Sequence, residues 1–202
     1  MNQFRKSEIR DNSIIIIIAV FLFSLIYAVL RYNVFKGVPW IDFPTYVFNK
    51  VLSLSALILF VLNHFYKNKK RINSSNFLQE FAIIFVLLHV LISFIVLTPN
   101  YFSKFFAESK FNLTGGLSIL FGILAIGFLL PLINKSTFKE IYNRFNNKKF
   151  VANIFFVLTT MHVLVMGFKG WFEPQTWPGG LPPITLISFI SAISPLFFRI
   201  KN

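Results

Sequence analysis

The chain contains no cysteine. That excludes disulfides, thiolate metal sites, cysteine nucleophiles and thioether attachment of a c-type haem, and it leaves the redox compartment open. Acids are nearly as scarce. Asp and Glu total seven in 202 residues, all in or beside loops. No cluster of carboxylates is therefore available inside an apolar segment, and zinc, which takes three or four protein ligands, has no ligand set there. The 202 residues contain no GxGxxG and no P-loop, so the sequence carries no nucleotide-binding domain. No internal repeat, low-complexity linker or second domain is visible, and residues 1–202 read as one domain.

What is abundant is apolar. Hydrophobic residues make up 55% of the chain, Phe alone contributes 28, and charged residues only 13%. The mean hydropathy is +0.68. A soluble domain of this size has too little interior to hide that much apolar surface. The charges cluster between apolar runs, as a bilayer requires, because a charge at mid-membrane costs several kcal/mol. The formal net charge of +13 does not imply nucleic acid, since the basic residues sit in short loops and build no continuous basic face. It fits membrane topology and contact with anionic lipid.

Six apolar runs stand out, roughly 13–30, 46–65, 77–97, 115–133, 151–168 and 181–198. Each is close to the ~20 residues that span a ~30 Å hydrocarbon core at about 1.5 Å per residue. Only helices satisfy every backbone group within such runs, so the expected fold class is an all-α, six-helix integral membrane bundle. The isoleucines Ile14 to Ile18 favour a strand in water, a preference overridden in lipid. The first run follows Arg5, Lys6 and Arg10, as a signal peptide would. It is longer than a usual signal h-region and Arg31 follows it without a small-x-small site, so it reads as an uncleaved helix.

Lys and Arg alternate across the runs. Arg5, Lys6, Arg10, Lys67, Lys69, Lys70, Arg71, Lys135, Lys139, Arg144, Lys148, Lys149, Arg199 and Lys201 fall on one side, fourteen in all. Arg31, Lys36, Lys50, Lys104, Lys110 and Lys169 fall on the other. The positive-inside rule then predicts both termini in the cytoplasm of a multi-pass protein, with a bacterial inner membrane as the expected location. Outer loops hold Trp40, Trp171 and Trp177, read as interfacial anchors. Pro174, Pro178, Gly179, Gly180, Pro182 and Pro183 predict a rigid, non-helical outer loop before the last helix.

The chemistry rests on three histidines. His64, beside Asn63 and Lys67 at an inner end, reads as a solvated interfacial residue. His89, in LLHVLISF on the third run, and His162, in TTMHVLVMGF on the fifth, lie among apolar residues. Both runs cross from inside to outside. His89 is eight residues past Phe81 and His162 eleven past Val151. The depths thus differ by about 4–5 Å at about 1.5 Å per residue, within reach of helix tilt. Two histidines at one depth on parallel helices can grip a planar macrocycle from its two faces, the geometry of a six-coordinate haem b. On spacing alone a second reading stays open, two polar residues hydrogen-bonding across helices. Phe85, Phe128 and Phe156 are candidates for shortening an electron path, with packing the default role for each.

The stretch MHVLVMGFKGWFEPQTWPGGLPPITLISF around His162 resembles helix five, outer loop and helix six of the STEAP metalloreductases. Asn49-Lys50-Val51-Leu52 resembles that family's Asn-Lys-Val-Leu element, and QEFAIIFVLLHVLISF, with Gln79 and His89, its helix three. The resemblance covers most of 46–198. It implies a ferric-reductase-like membrane domain with one haem b held between His89 and His162 as axial ligands of its iron. Such a domain passes electrons outward, to ferric or cupric ions or an outer redox partner. In that setting Lys50 is a candidate for neutralising a haem propionate, beside the plainer reading of a snorkelling lysine. The family also implies FAD or a cytoplasmic reductase as donor, and homo-oligomers. The usual NADPH-binding domain of these reductases has no counterpart in the sequence. The chain is also similar to the MsrQ haem subunit of a two-component methionine sulfoxide reductase system. That relative has an extra histidine near the inner end of helix five, where NNKKFVANIFF has none. The expected function is transmembrane electron transfer with oxidoreductase character. The alternatives are the haem subunit of a two-protein system, and a haem-free transporter or scaffold.

Overall fold

The computed structural model describes residues 3–68, 72–133 and 148–197. Six helices are long and apolar enough to cross a membrane. They are α1 (Gln3–Ala28), α2 (Phe48–Asn68), α3 (Ile72–Ile95), α4 (Leu113–Ile133), α5 (Lys148–Trp171) and α6 (Ile184–Phe197). The protein is a multi-pass membrane bundle. The isoleucines at 14–18 lie inside α1, as lipid requires. Ile15, Leu22 and Ile26 of α1 and Leu87, Leu91 and Phe94 of α3 are exposed, whereas Ser13, Ser24, Ser55 and Ser118 are fully buried. Apolar residues facing out and small polar residues facing in is the arrangement of helices that pack inside a bilayer, where close approach rather than water exclusion joins them.

Five of the helices are longer than the apolar runs; α6 is shorter, and its span includes the preceding turn, Pro178–Phe197. α1 continues through a π-helical segment, Val29–Phe35, which carries Arg31 into the bundle, where it is 7% exposed. Arg31 donates from Nη1 to the Leu181 carbonyl, and the Tyr27 hydroxyl donates to the Pro182 carbonyl. The residue expected in an outer loop thus fastens the end of α1 to the segment before α6. A 3-10 turn, Trp40–Asp42, and a π-helical turn, Phe43–Val47, lead directly into α2. Between α3 and α4 lies a short antiparallel hairpin, β1 (Phe106–Ala107) with β2 (Lys110–Phe111), in a bundle that is otherwise all-α as expected. Glu108 and Ser109 form its turn, both at positive φ, the backbone a tight hairpin demands. The Phe106 and Phe111 rings stack at 4.6 Å.

The Pro- and Gly-rich outer loop folds as two 3-10 turns, Pro174–Thr176 and Pro178–Gly180. Gly179 sits at φ +60 against the Phe35 ring, where no Cβ has room. Trp40 is 65% exposed, as an anchor should be, but Trp171 is only 8% exposed. Its Nε1 donates to Thr185 Oγ1 at 3.0 Å, so Trp171 packs between α5 and α6 and is not an interfacial anchor.

α1, α2 and α3 pack together, α5 packs between α4 and α6, and α2 against α6 joins the two groups. An inner core cluster draws on all six, including Leu59, Leu78, Leu129, Phe155 and Ala192. At that level Gln79 Nε2 of α3 donates to the Leu132 carbonyl in the last turn of α4, at 3.0 Å, satisfying one of its orphan acceptors. The second cluster, with Ala28, Val47, Val51, Leu54 and Ile184, contains no residue of α3, α4 or α5 among the described residues. The side chains of the fourteen Lys and Arg assigned to the inner side lie outside the described residues.

Candidate functional site

His89 lies on α3 and His162 on α5, helices that do not pack extensively on each other. Each ring is half buried.

His89 is held by α2. Its Nδ1 lies 2.7 Å from Asn49 Oδ1 and 3.3 Å from the Asn49 carbonyl oxygen. The carbonyl can only accept, so Nδ1 carries the proton and donates. Asn49 is itself fixed, because its Nδ2 donates to Ser93 Oγ at 2.9 Å, one turn beyond His89 on α3. One buried amide on α2 thus takes both a ring N–H and a hydroxyl of α3.

His162 is held by α4. Its Nδ1 donates to the Ser118 carbonyl oxygen at 2.7 Å, with Ser118 Oγ at 3.3 Å. Ser118 is fully buried, and Gly122 lies one turn further on. A Cβ at Gly122 would stand 3.2 Å from His162 Nδ1 and 3.4 Å from Cε1. The small residues at 118 and 122 let the ring lie against the α4 backbone.

Both rings therefore make the cross-helix hydrogen bonds of the plainer reading, but each makes them through Nδ1. Among the described residues neither Nε2 has a hydrogen-bond partner. Two imidazoles with Nδ1–H committed and the Nε2 lone pair presented is the form in which histidine ligates a metal. No group of three or more His, Asp or Glu side chains that could hold a metal ion occurs among the described residues. A site with two nitrogens and no carboxylate suits an ion whose other ligands come from a macrocycle, and a haem iron is such an ion.

Lys50 follows Asn49, the residue that holds His89, on α2. Its Nζ donates to the Tyr46 carbonyl at 2.9 Å and lies 3.2 Å from the centroid of the Tyr46 ring and 5.0 Å from that of Tyr32. The cation sits beside the histidine site, covered by two aromatic faces. His64 is not brought to this site. It is half buried at the inner end of α2, edge-on to Phe65 at 5.8 Å and Phe156 at 5.5 Å, so it packs where the sequence suggested solvation. Phe85, Phe128 and Phe156 belong to the inner core or pack against it.

Ser118, Gly122 and Ser93 escaped the sequence reading. A serine or glycine in an apolar run is common helix-contact material, and only its distance to a histidine gives it a role. No family model, no curated protein and no solved structure matches the chain.

Proposed function

We propose that the protein is a haem b-binding transmembrane electron-transfer protein of the STEAP-like kind, with His89 and His162 as axial ligands through Nε2. The observation that carries this reading is the state of the two rings, each with Nδ1–H held by an acceptor on a neighbouring helix and Nε2 without a hydrogen-bond partner among the described residues. Haem bound there would supply a one-electron carrier, and the protein would set its ligation, orientation and burial. Lys50 is assigned to a propionate, on its place next to Asn49, which holds His89. The orientation proposed has both termini in the cytoplasm, a flavin or reductase donor on the inner side and a metal ion or redox partner as outer acceptor.

A reduced-minus-oxidised absorption spectrum with a pyridine haemochrome assay tests the reading. About one low-spin b haem per chain is the expected result. Absence of haem after supplementation would leave a transporter or scaffold. Gly122→Leu places a branched chain against the His162 ring and should weaken haem retention about tenfold, the lower end of losses seen when ligand-orienting contacts are disturbed. Full haem content in Gly122→Leu would mean that the ring does not need its seat on α4.

Topology is testable without background labelling, because the chain has no cysteine. Glu173 is exposed in the loop before α6. Glu173→Cys should react with a membrane-impermeant maleimide added to intact cells or spheroplasts. Labelling only after lysis would invert the orientation.

A further inference from the structure

The two histidines are held in unlike ways. His162 donates to a backbone carbonyl, an acceptor that every side chain at 118 leaves in place. His89 donates at 2.7 Å to a side-chain oxygen, that of Asn49, whose amide is oriented by Ser93 at 2.9 Å. Asn49 is 6% exposed, with its amide bonded on both sides by α3.

We infer that Asn49 is a positioning residue that tunes His89: the Asn49–Ser93 pair fixes the orientation and electron-donating strength of the imidazole, and with them the reduction potential of the group His89 ligates. This rests on the haem reading above. An acceptor at Nδ1–H pushes electron density to Nε2 and stabilises the ferric state. The α2–α3 side of the site is therefore the adjustable one, and the α4–α5 side is set by backbone.

The test uses the full-length protein purified in detergent, with haem counted by pyridine haemochrome and the midpoint potential measured by redox titration. Asn49→Leu removes the nearer, side-chain acceptor and leaves only the Asn49 backbone carbonyl at 3.3 Å; it should raise the potential, favouring the reduced state by up to about tenfold, or about 59 mV for a one-electron couple. Asn49→Asp offers a stronger acceptor and should lower it. Ser93→Ala frees the amide and should shift the potential in the Leu direction by less. The low-spin ferric EPR g values should move with the potential, which loss of packing alone would not produce in opposite senses. If Asn49→Leu fails to assemble, the Asp and Ser93→Ala variants carry the test. Full haem content with an unchanged potential in the assembled variants would overturn the inference and leave haem binding standing. A wild-type protein without haem would instead overturn the reading beneath it.

Discussion

If the proposed ligation holds, His89→Ala and His162→Ala should each eliminate the low-spin haem spectrum, whereas His64→Ala should retain it. Loss of one axial imidazole would convert six-coordinate iron to a five-coordinate or water-ligated form, so a residual high-spin signal is compatible with the single variants. The double variant should purify without haem. The contrast with His64 follows from position. His64 packs edge-on against Phe156, at the inner level of the bundle, apart from the other two rings. Each ligand also has its own support, Asn49 for one and the Ser118 carbonyl for the other, so the two losses are independent at the level of ring placement. A double His89/His162 variant with a full low-spin spectrum would end the ligation assignment.

Gly167→Ala should cost stability at the contact between α5 and α6. A Cβ at this position would come 2.2 Å from Thr185 Oγ1, 2.4 Å from Trp171 Nε1 and 2.6 Å from Thr185 Cβ. Nothing in that corner yields easily. Trp171 and Thr185 are hydrogen-bonded to each other at 3.0 Å, and the indole lies tilted against the Phe189 ring at 4.8 Å. The methyl must either break the bond or separate the helices. Overpacking costs about 1–3 kcal/mol, and loss of the hydrogen bond adds about 1 kcal/mol. Together these should lower the apparent Tm in detergent by roughly 5–10 °C. Haem content should be preserved, since the clash lies beyond His162 toward the outer end of α5. An unchanged Tm would mean that α5 and α6 separate there freely, and that the Trp171–Thr185 bond contributes nothing.

The sequence was most informative where the bilayer imposes a rule. A long apolar run must be helical, because no water is available for its backbone, and six runs were therefore enough for six spans. The boundaries were less legible. Arg31 and Trp171 looked like loop or interface residues, because polar and aromatic side chains usually stop at the headgroups. Arg31 is inside because two backbone carbonyls of the facing loop accept from Arg31 and Tyr27 there, and Trp171 because Thr185 accepts its N–H. Such partners lie far along the chain, where local pattern has no access to them. The hairpin at Phe106–Phe111 was missed for another reason: Glu108 and Ser109 stand at positive φ, where Asn or Gly would have announced the turn.

The candidate site divides in the same way. By itself the sequence placed His89 and His162 within two of the six apolar helices, where an ionisable residue is unusual. Only the tertiary structure decided which nitrogen of each ring is committed, that Asn49 and the Ser118 carbonyl accept, and that Ser93 and Gly122 hold the arrangement. Depth follows from residue count along one helix. Ring orientation depends on the acceptors that a neighbouring helix brings within about 3 Å, and that is set by how the helices pack.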